Sequence, residues 1–273
     1  MIHFRSWALI AILLSAANVQ AQENWDVYMS LVNSKPGSIM VDMGLVDKAP
    51  DKLLPYLVVT GPRAATNCTD KRGLPSATDI DDMEKVLDLT GSILSSVTAK
   101  RLAGTLTCNC ERLNYYYVRD TAGVRNALAR MYTRHFGDRP YTVRIKPDPE
   151  WTAYRNFLYP DSAAREWMAS DKIIASMIAA GDDLARPRDI THGLYFLSEE
   201  GRERFADSAI AHHFTISGKK VTSGVGKSLY EISVSHHGGV RMDSILATEA
   251  QLKLLAAPLG GTYRTWQAPY PKK

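Results

Sequence analysis

A chain of 273 residues with 45% hydrophobic and 23% charged residues has ordinary globular composition, which excludes a collagen-like or wholly disordered polymer. Its 33 basic and 29 acidic residues leave a formal net charge of +4, too small to argue for nucleic-acid binding on bulk electrostatics. Length predicts about two domains, and no run approaches the roughly 18–20 apolar residues of a membrane-spanning helix.

Residues 1–21 read MIHFRSWALIAILLSAANVQA. A basic start at Arg5, an apolar run over 7–17 and small residues ending at Ala21 have the layout of a secretory signal peptide. At the ~1.5 Å helical rise that run spans only about 16 Å, short of the ~30 Å bilayer core, so cleavage after Ala21 is expected rather than anchoring. The mature chain is then periplasmic or secreted. An oxidising compartment permits a disulfide. The candidates are Cys68, Cys108 and Cys110, with Cys68 bonded to either of the others, or all three unpaired.

Two strands are expected at 24–32 and 38–45 around a Lys35-Pro36-Gly37 turn, then a third at 53–60. Residues 78–99 carry helical period, with Asp79, Asp81 and Asp82 favouring the dipole of the first turn rather than a metal. A hairpin over 102–107 and 113–118 holds Tyr115, Tyr116 and Tyr117, whose rings alternate faces in a strand. A helix over 121–135 is capped by Asp120, its Arg125, Arg130 and Arg134 reading as a basic solvated face, and a strand at 141–146 follows. The aromatic connector at 151–160 is expected to pack on a domain.

A helix at 161–180 has Ala164, Trp167, Ile174 and Ile178 as its expected core, and Asp182-Asp183 with Arg186-Pro187 marks the start of the second unit. A strand at 189–197 and a Ser198-capped helix with Phe205, Ala209 and Ile210 inside come next. After them come a strand at 214–217, a turn region at 218–227 and an alternating strand at 230–236. A helix at 248–257 and a strand at 262–268 close the chain. That order is βαββαβ, and residues 53–146 repeat it after an N-terminal hairpin. The expected fold class is α+β, two ferredoxin-like sandwiches in tandem.

No dinucleotide fingerprint, phosphate loop, zinc-protease helix or nucleophile elbow is present. Gly224-Val225-Gly226-Lys227-Ser228 imitates the tail of a phosphate loop, but Lys219 stands at the first glycine and a strand follows, so it reads as a turn. The remaining lead is histidine: His192, His212, His213, His236 and His237. With 189–197 and 230–236 as adjacent antiparallel strands, His192 lies mid-strand and His236 and His237 at its start, so convergence on a metal is not expected. No catalytic, cofactor-binding or metal residue is assigned.

Trp25, PGSIMVDMGL at 36–45, LPYLVVTG at 54–61 and DPEWTAYRNFLYP at 148–160 resemble the bacterial family catalogued as domain of unknown function 695. MIAAGDDLARPRDITHGLYFLSEEGRERF at 177–205, with GGTYRTWQAP at 260–269, resembles the ribonuclease E inhibitor B family, also called regulator of ribonuclease activity B. The organisation expected is a signal peptide at 1–21, the first family over 22–160 and the second over 161–273. The first resemblance implies no known activity. The second implies a ferredoxin-like module that binds a protein and inhibits its ribonuclease activity without a catalytic centre. An exported chain could not meet a cytoplasmic ribonuclease. The family's inhibitors are also typically acidic, whereas residues 161–273 hold 14 basic and 13 acidic residues. The fold and a protein-binding role therefore carry over, and the target does not.

The leading expectation is an exported non-enzymatic regulatory protein with a protein partner, no cofactor and no nucleic acid. The alternatives are an envelope enzyme or metal-binding protein using His192, His236 or His237, and a ribonuclease inhibitor should the chain be cytoplasmic.

Overall fold

The computed structural model describes residues 23–64, 77–137, 139–224 and 227–269. The expected signal peptide and Cys68 lie outside the described residues. The chain divides into two compact units at Tyr159 and Pro160, each mixed α+β with one antiparallel sheet.

The first unit begins with a hairpin of β1 (Trp25–Val32) and β2 (Lys35–Asp42). The turn falls at Asn33-Ser34, both left-handed with φ of 50° and 62°, and not at the expected Lys35-Pro36-Gly37. Pro36 is tolerated in β2 because it pairs with Leu31 alone; pairing with β4 starts one residue later, at Gly37 opposite Cys108. The segment expected to be strand to residue 45 instead ends in a 3-10 turn at Met43–Leu45, with the buried Asp42 carboxylate accepting from the Gly44 and Asn24 amides.

β3 (Tyr56–Pro62), α1 (Ala77–Val97), β4 (Lys100–Cys108), β5 (Glu111–Val118), α2 (Val124–Phe136) and β6 (Tyr141–Pro147) complete the unit. The strand order is β1-β2-β4-β5-β3-β6. Asp120 does not cap α2 directly: it accepts from Ala122 in the preceding turn, and the left-handed Gly123 starts the helix. Val86 and Leu94 of α1 and Val124, Leu128 and Met131 of α2 bury Val58, Tyr116 and Val118 on one sheet face. The tyrosine run alternates as its strand period requires: the Tyr116 hydroxyl donates to the Leu87 carbonyl of α1, while Tyr117 faces the other way.

That second face is covered by the connector, which turns as a single π-helical turn at Tyr154–Leu158. Trp151 stacks on Tyr117 at 3.9 Å and 7°, and its indole N–H donates to the Leu54 carbonyl. Asp148 accepts from the Tyr117 hydroxyl at 2.7 Å and from the Thr152 and Ala153 amides. Burial works to raise the Asp148 carboxyl, but those donors outweigh it and hold the group below the usual carboxylate range. Tyr28 donates to the Leu158 carbonyl and Tyr154 to that of Asp42. The residues of the 148–160 pattern therefore fasten a strap to the sheet.

The second unit contains α3 (Ser162–Ala179), β7 (Arg188–Phe196), α4 (Glu199–Ala211), β8 (Thr215–Gly224), β9 (Lys227–Gly238), α5 (Met242–Ala256) and β10 (Gly261–Gln267). Its strand order is β10-β7-β9-β8. The expected turn region at 218–227 is instead strand in its described part, a long hairpin paired out to Gly224 opposite Lys227. Ser198 caps α4 as expected, accepting from the Gly201 amide. Phe205, Ala209, Leu252 and Ala256 pack on Leu194, Phe196, Ile232 and Val234. A neighbouring cluster joins Met177, Ile190, Val240, Ile245 and Trp266. The fully buried residues of α3 are Met168, Ser170 and Met177; of the expected stripe Ile174 packs against this cluster and Ala164 and Trp167 are half-buried, while Ile178, like Ile210 of α4, faces outward.

Arg188 locks the start of β7. Its guanidinium makes a two-pronged contact with Asp182 at 2.6 and 2.8 Å and reaches the carbonyls of Asp183, Arg186 and Pro269. The Asp182-Asp183 and Arg186-Pro187 segment, expected at the start of the second unit, thus lies within it and braces β7.

Candidate functional site

Register brings two histidines together in the second unit. Ile190 stands opposite His236 and His192 opposite Val234, so the two imidazoles are diagonal neighbours on the helix-facing side of the sheet. His192 Nε2 and His236 Nδ1 are 3.2 Å apart, and the rings stack at 5.1 Å. His192 Nδ1 is 2.8 Å from the Tyr263 hydroxyl on β10, and the edge of Phe214 closes on His236. The expectation that these histidines would not converge is corrected for this pair: a diagonal offset of two residues is within reach of rings. His237, one residue on, points to the opposite face and meets Asp189 at 2.9 Å. His212 and His213 follow α4 as exposed residues and do not join the pair.

His192 is fully buried, and burial together with the neighbouring His236 pushes its pKa down to about 3. Burial also lowers His236. Both imidazoles are therefore neutral near pH 7. The Nε2 atom of His236 is buried and has no hydrogen-bond partner. An orphaned N–H costs more than an orphaned lone pair, so the tautomer without hydrogen on that atom is favoured. His236 then donates through Nδ1 to His192, and His192 donates through Nδ1 to the tyrosine oxygen. The Tyr263 hydroxyl hydrogen is left to donate elsewhere.

Tyr263 also lines a cleft of about 200 Å³, bounded by α3, α5 and β10 through Arg165, Glu166, Ser170, Glu249 and Trp266. The Lys253 ammonium lies 2.8 Å from Glu249, 2.5 Å from Glu166, and 5.5 Å over the Tyr263 ring. Burial first, and then Glu249 and Glu166, push the Tyr263 hydroxyl well above the usual phenol range. This cleft is smaller than the roughly 300–1,000 Å³ of most small-molecule sites. It can present a hydroxyl and a bridged carboxylate pair to a side chain or small polar group. Sequence reasoning missed Tyr263, Glu249, Lys253 and Glu166, which no spacing links; strand pairing could have suggested only the diagonal histidines.

Among the described residues no group of three or more His, Cys, Asp or Glu side chains could hold a metal ion. The facing nitrogens of His192 and His236 are spent on each other. Of the cysteines, Cys110 is disulfide-bonded, whereas Cys108 is a buried free thiol and leaves the candidate pairings; burial raises its pKa.

Residues 23–159 match the family model described as a family of unknown function, DUF695. The chain belongs to DUF695. Beyond that segment, residues 167–268 match the model of regulator of ribonuclease activity B, in the order the sequence patterns imply. No curated protein matches the chain. Among solved structures, the chain is similar to an unknown protein from Galdieria sulphuraria at 8% identity and a TM-score of 0.22, covering 79% of this chain and 98% of that one. It is also similar to a candidate glycine cleavage system transcriptional repressor at 10% identity and a TM-score of 0.24, covering 78% and 98%. Among the described residues no helix is long and apolar enough to cross a membrane.

Proposed function

We propose that this DUF695 protein is an exported, non-enzymatic regulator that works by binding another protein through an inhibitor-like C-terminal unit. The observation that carries the reading is the match of residues 167–268 to a regulator of ribonuclease activity. The second unit's architecture supports it. Its described helices pack on one sheet face, and strand alternation puts Asp189, Thr191, Tyr195, Glu231, Ser233 and His237 on the other. That polar face is the solvated side of an antiparallel sheet and is open to a partner. The tandem ferredoxin-like reading is supported by a shared strand order: β4-β5-β3-β6 and β8-β9-β7-β10 place corresponding strands alike. Export is supported by the layout of residues 1–21 and by the disulfide at Cys110, whose partner we propose to be Cys68.

The test has two parts. Fractionation of cells making a C-terminally tagged chain, with determination of the mature N-terminus, should give soluble periplasmic protein starting at Gln22. Cytoplasmic chain that keeps Met1 overturns export and makes direct ribonuclease inhibition the activity to assay. In vivo cross-linking, followed by reconstitution of the captured protein with purified chain, should then give a saturable complex; no saturable partner overturns the binding role. One observation favours a second reading, an envelope enzyme or metal protein: the His192–His236–Tyr263 chain beside the cleft. His192→Ala and His236→Ala would then abolish an activity or metal content that His237→Ala spares.

A further inference from the structure

The C-terminal half of α1 and the whole of α2 differ sharply in charge. From Leu89 to Val97 the first helix carries no charged residue, whereas α2 carries Arg125, Arg130, Arg134 and His135 and no carboxylate. The two helices bound a groove of about 650 Å³. Its floor is apolar, from Ile93, Val97, Ala127, Ala129 and Met131; its rim is Arg130, Arg134 and His135; among the described residues no acidic one lines it. Arg134 and His135 are accounted for by the negative end of the helix dipole. Arg130 is not. It stands one turn from Arg134, a like-charge spacing that destabilises an isolated helix. Both guanidinium groups are exposed, and neither makes an ion pair with any described residue.

We infer that this groove docks an amphipathic helix of the partner protein, with its apolar stripe on Ile93, Val97 and Ala129 and its carboxylates against Arg130 and Arg134. The inference goes beyond the C-terminal binding reading by adding a contact on the first unit, and it rests on that reading for the existence of a partner. Charge complementarity selects the occupant: an uncharged floor flanked by unpaired cations suits apolar anchors flanked by acids, the helix-in-groove mode of recognition. A trough between two helices also suits a rod better than the plane of a lipid headgroup layer.

The full chain is titrated by fluorescence anisotropy with a labelled synthetic peptide of about 18 residues, Leu and Ala on one face and Glu on the other, held helical by a hydrocarbon staple because length alone does not offset its like-charge pairs. Its counterpart with Lys for every Glu is the control. The Glu peptide should bind, weakening as salt rises, and Arg130→Glu with Arg134→Glu should weaken it at least tenfold. Val97→Asp, at an exposed floor position, should do the same without touching the arginines. Unchanged melting curves confirm that each variant folds. Equal binding of both peptides, binding indifferent to the variants, no binding, or displacement of the peptide by phosphatidylglycerol vesicles each overturns the assignment. The reconstituted partner separates the two ideas. A partner that binds Arg130→Glu/Arg134→Glu chain as tightly as wild type overturns the groove and leaves the binding role standing. A chain with no partner overturns the binding role, and the peptide titration still decides the groove.

Discussion

Acid should loosen the second unit through His192, by an amount the geometry allows to be worked out. In the folded protein its pKa is depressed to about 3 from the ordinary 6.5, with burial as the first cause and His236 as the second. The unfolded chain therefore takes up a proton that the folded one refuses. Stability from this group is fully present above pH 6.5 and is lost progressively as pH falls toward 3. Between pH 7 and pH 5 the loss comes to about 2 kcal/mol, at about 1.4 kcal/mol per pKa unit. His236 is also lowered by burial, so it adds with the same sign. The readout is amide exchange of β7 and β9 by mass spectrometry at both pH values, corrected for the intrinsic pH dependence of exchange. It reports opening of this unit alone. His192→Gln removes the proton site and keeps an amide for Tyr263; it should flatten the pH dependence by roughly that 2 kcal/mol. A variant with the wild-type dependence would refute the assignment of the titration to the buried pair.

Three further outcomes follow from packing and covalent structure. Gly261→Ala should destabilise the second unit by about 1–3 kcal/mol in denaturant melts, because a Cβ there would stand 2.3 Å from Phe196 and 2.8 Å from the Ala256 Cβ. Tyr117→Phe should cost about 1–3 kcal/mol in the first unit, since it leaves the buried Asp148 and the Tyr154 amide each short of a partner; near-ultraviolet dichroism of the Trp151 stack follows it. Under non-reducing conditions Cys108 should resist iodoacetamide until the chain is unfolded, and peptide mapping should recover Cys110 joined to Cys68; a Cys108-containing cross-link would contradict this pairing.

The parts legible in the sequence are those where local pattern and burial agree. Tyr230, Ile232 and Val234 alternate with polar neighbours, and β9 forms there. Ser198 followed by two glutamates announces α4 at the residue where it begins. Legibility fails where a local signal has two solutions. Lys35-Pro36-Gly37 reads as a turn, yet Asn33-Ser34 can also take left-handed angles, and cross-strand pairing chooses the latter. Ile178 and Ile210 directly follow Met177 and Ala209, which take the buried positions of the last turns of α3 and α4, so one residue on, about 100° around the helix, the side chain faces outward. The candidate site fails differently. Tyr263 lies 71 residues from His192, and only the β10–β7 register joins them.

Buried polarity is spent differently at the strap of the first unit and at the histidine pair of the second. In the first unit each polar atom of the 148–159 strap that reaches the sheet has a partner: the Asp148 carboxylate takes three donors, and Tyr154 and Trp151 each donate to a carbonyl. A network so fully satisfied rigidifies and has nothing left to offer a ligand. The 148–159 strap is therefore a folding element, and among the described residues the unit's buried polar atoms without a partner lie elsewhere, at Thr90, Arg112, Asn114 and Arg139. In the second unit the buried polar chain ends on an unpartnered nitrogen at one end and a hydroxyl at a cleft on the other. Buried polar groups left short of partners cost stability. The Tyr263 end of this chain reaches the cleft beside Glu249 and Lys253, so under the protein-binding proposal that hydroxyl is the point a partner would contact. Substitutions there should alter partner choice while those at Asp148 and Tyr117 alter only folding.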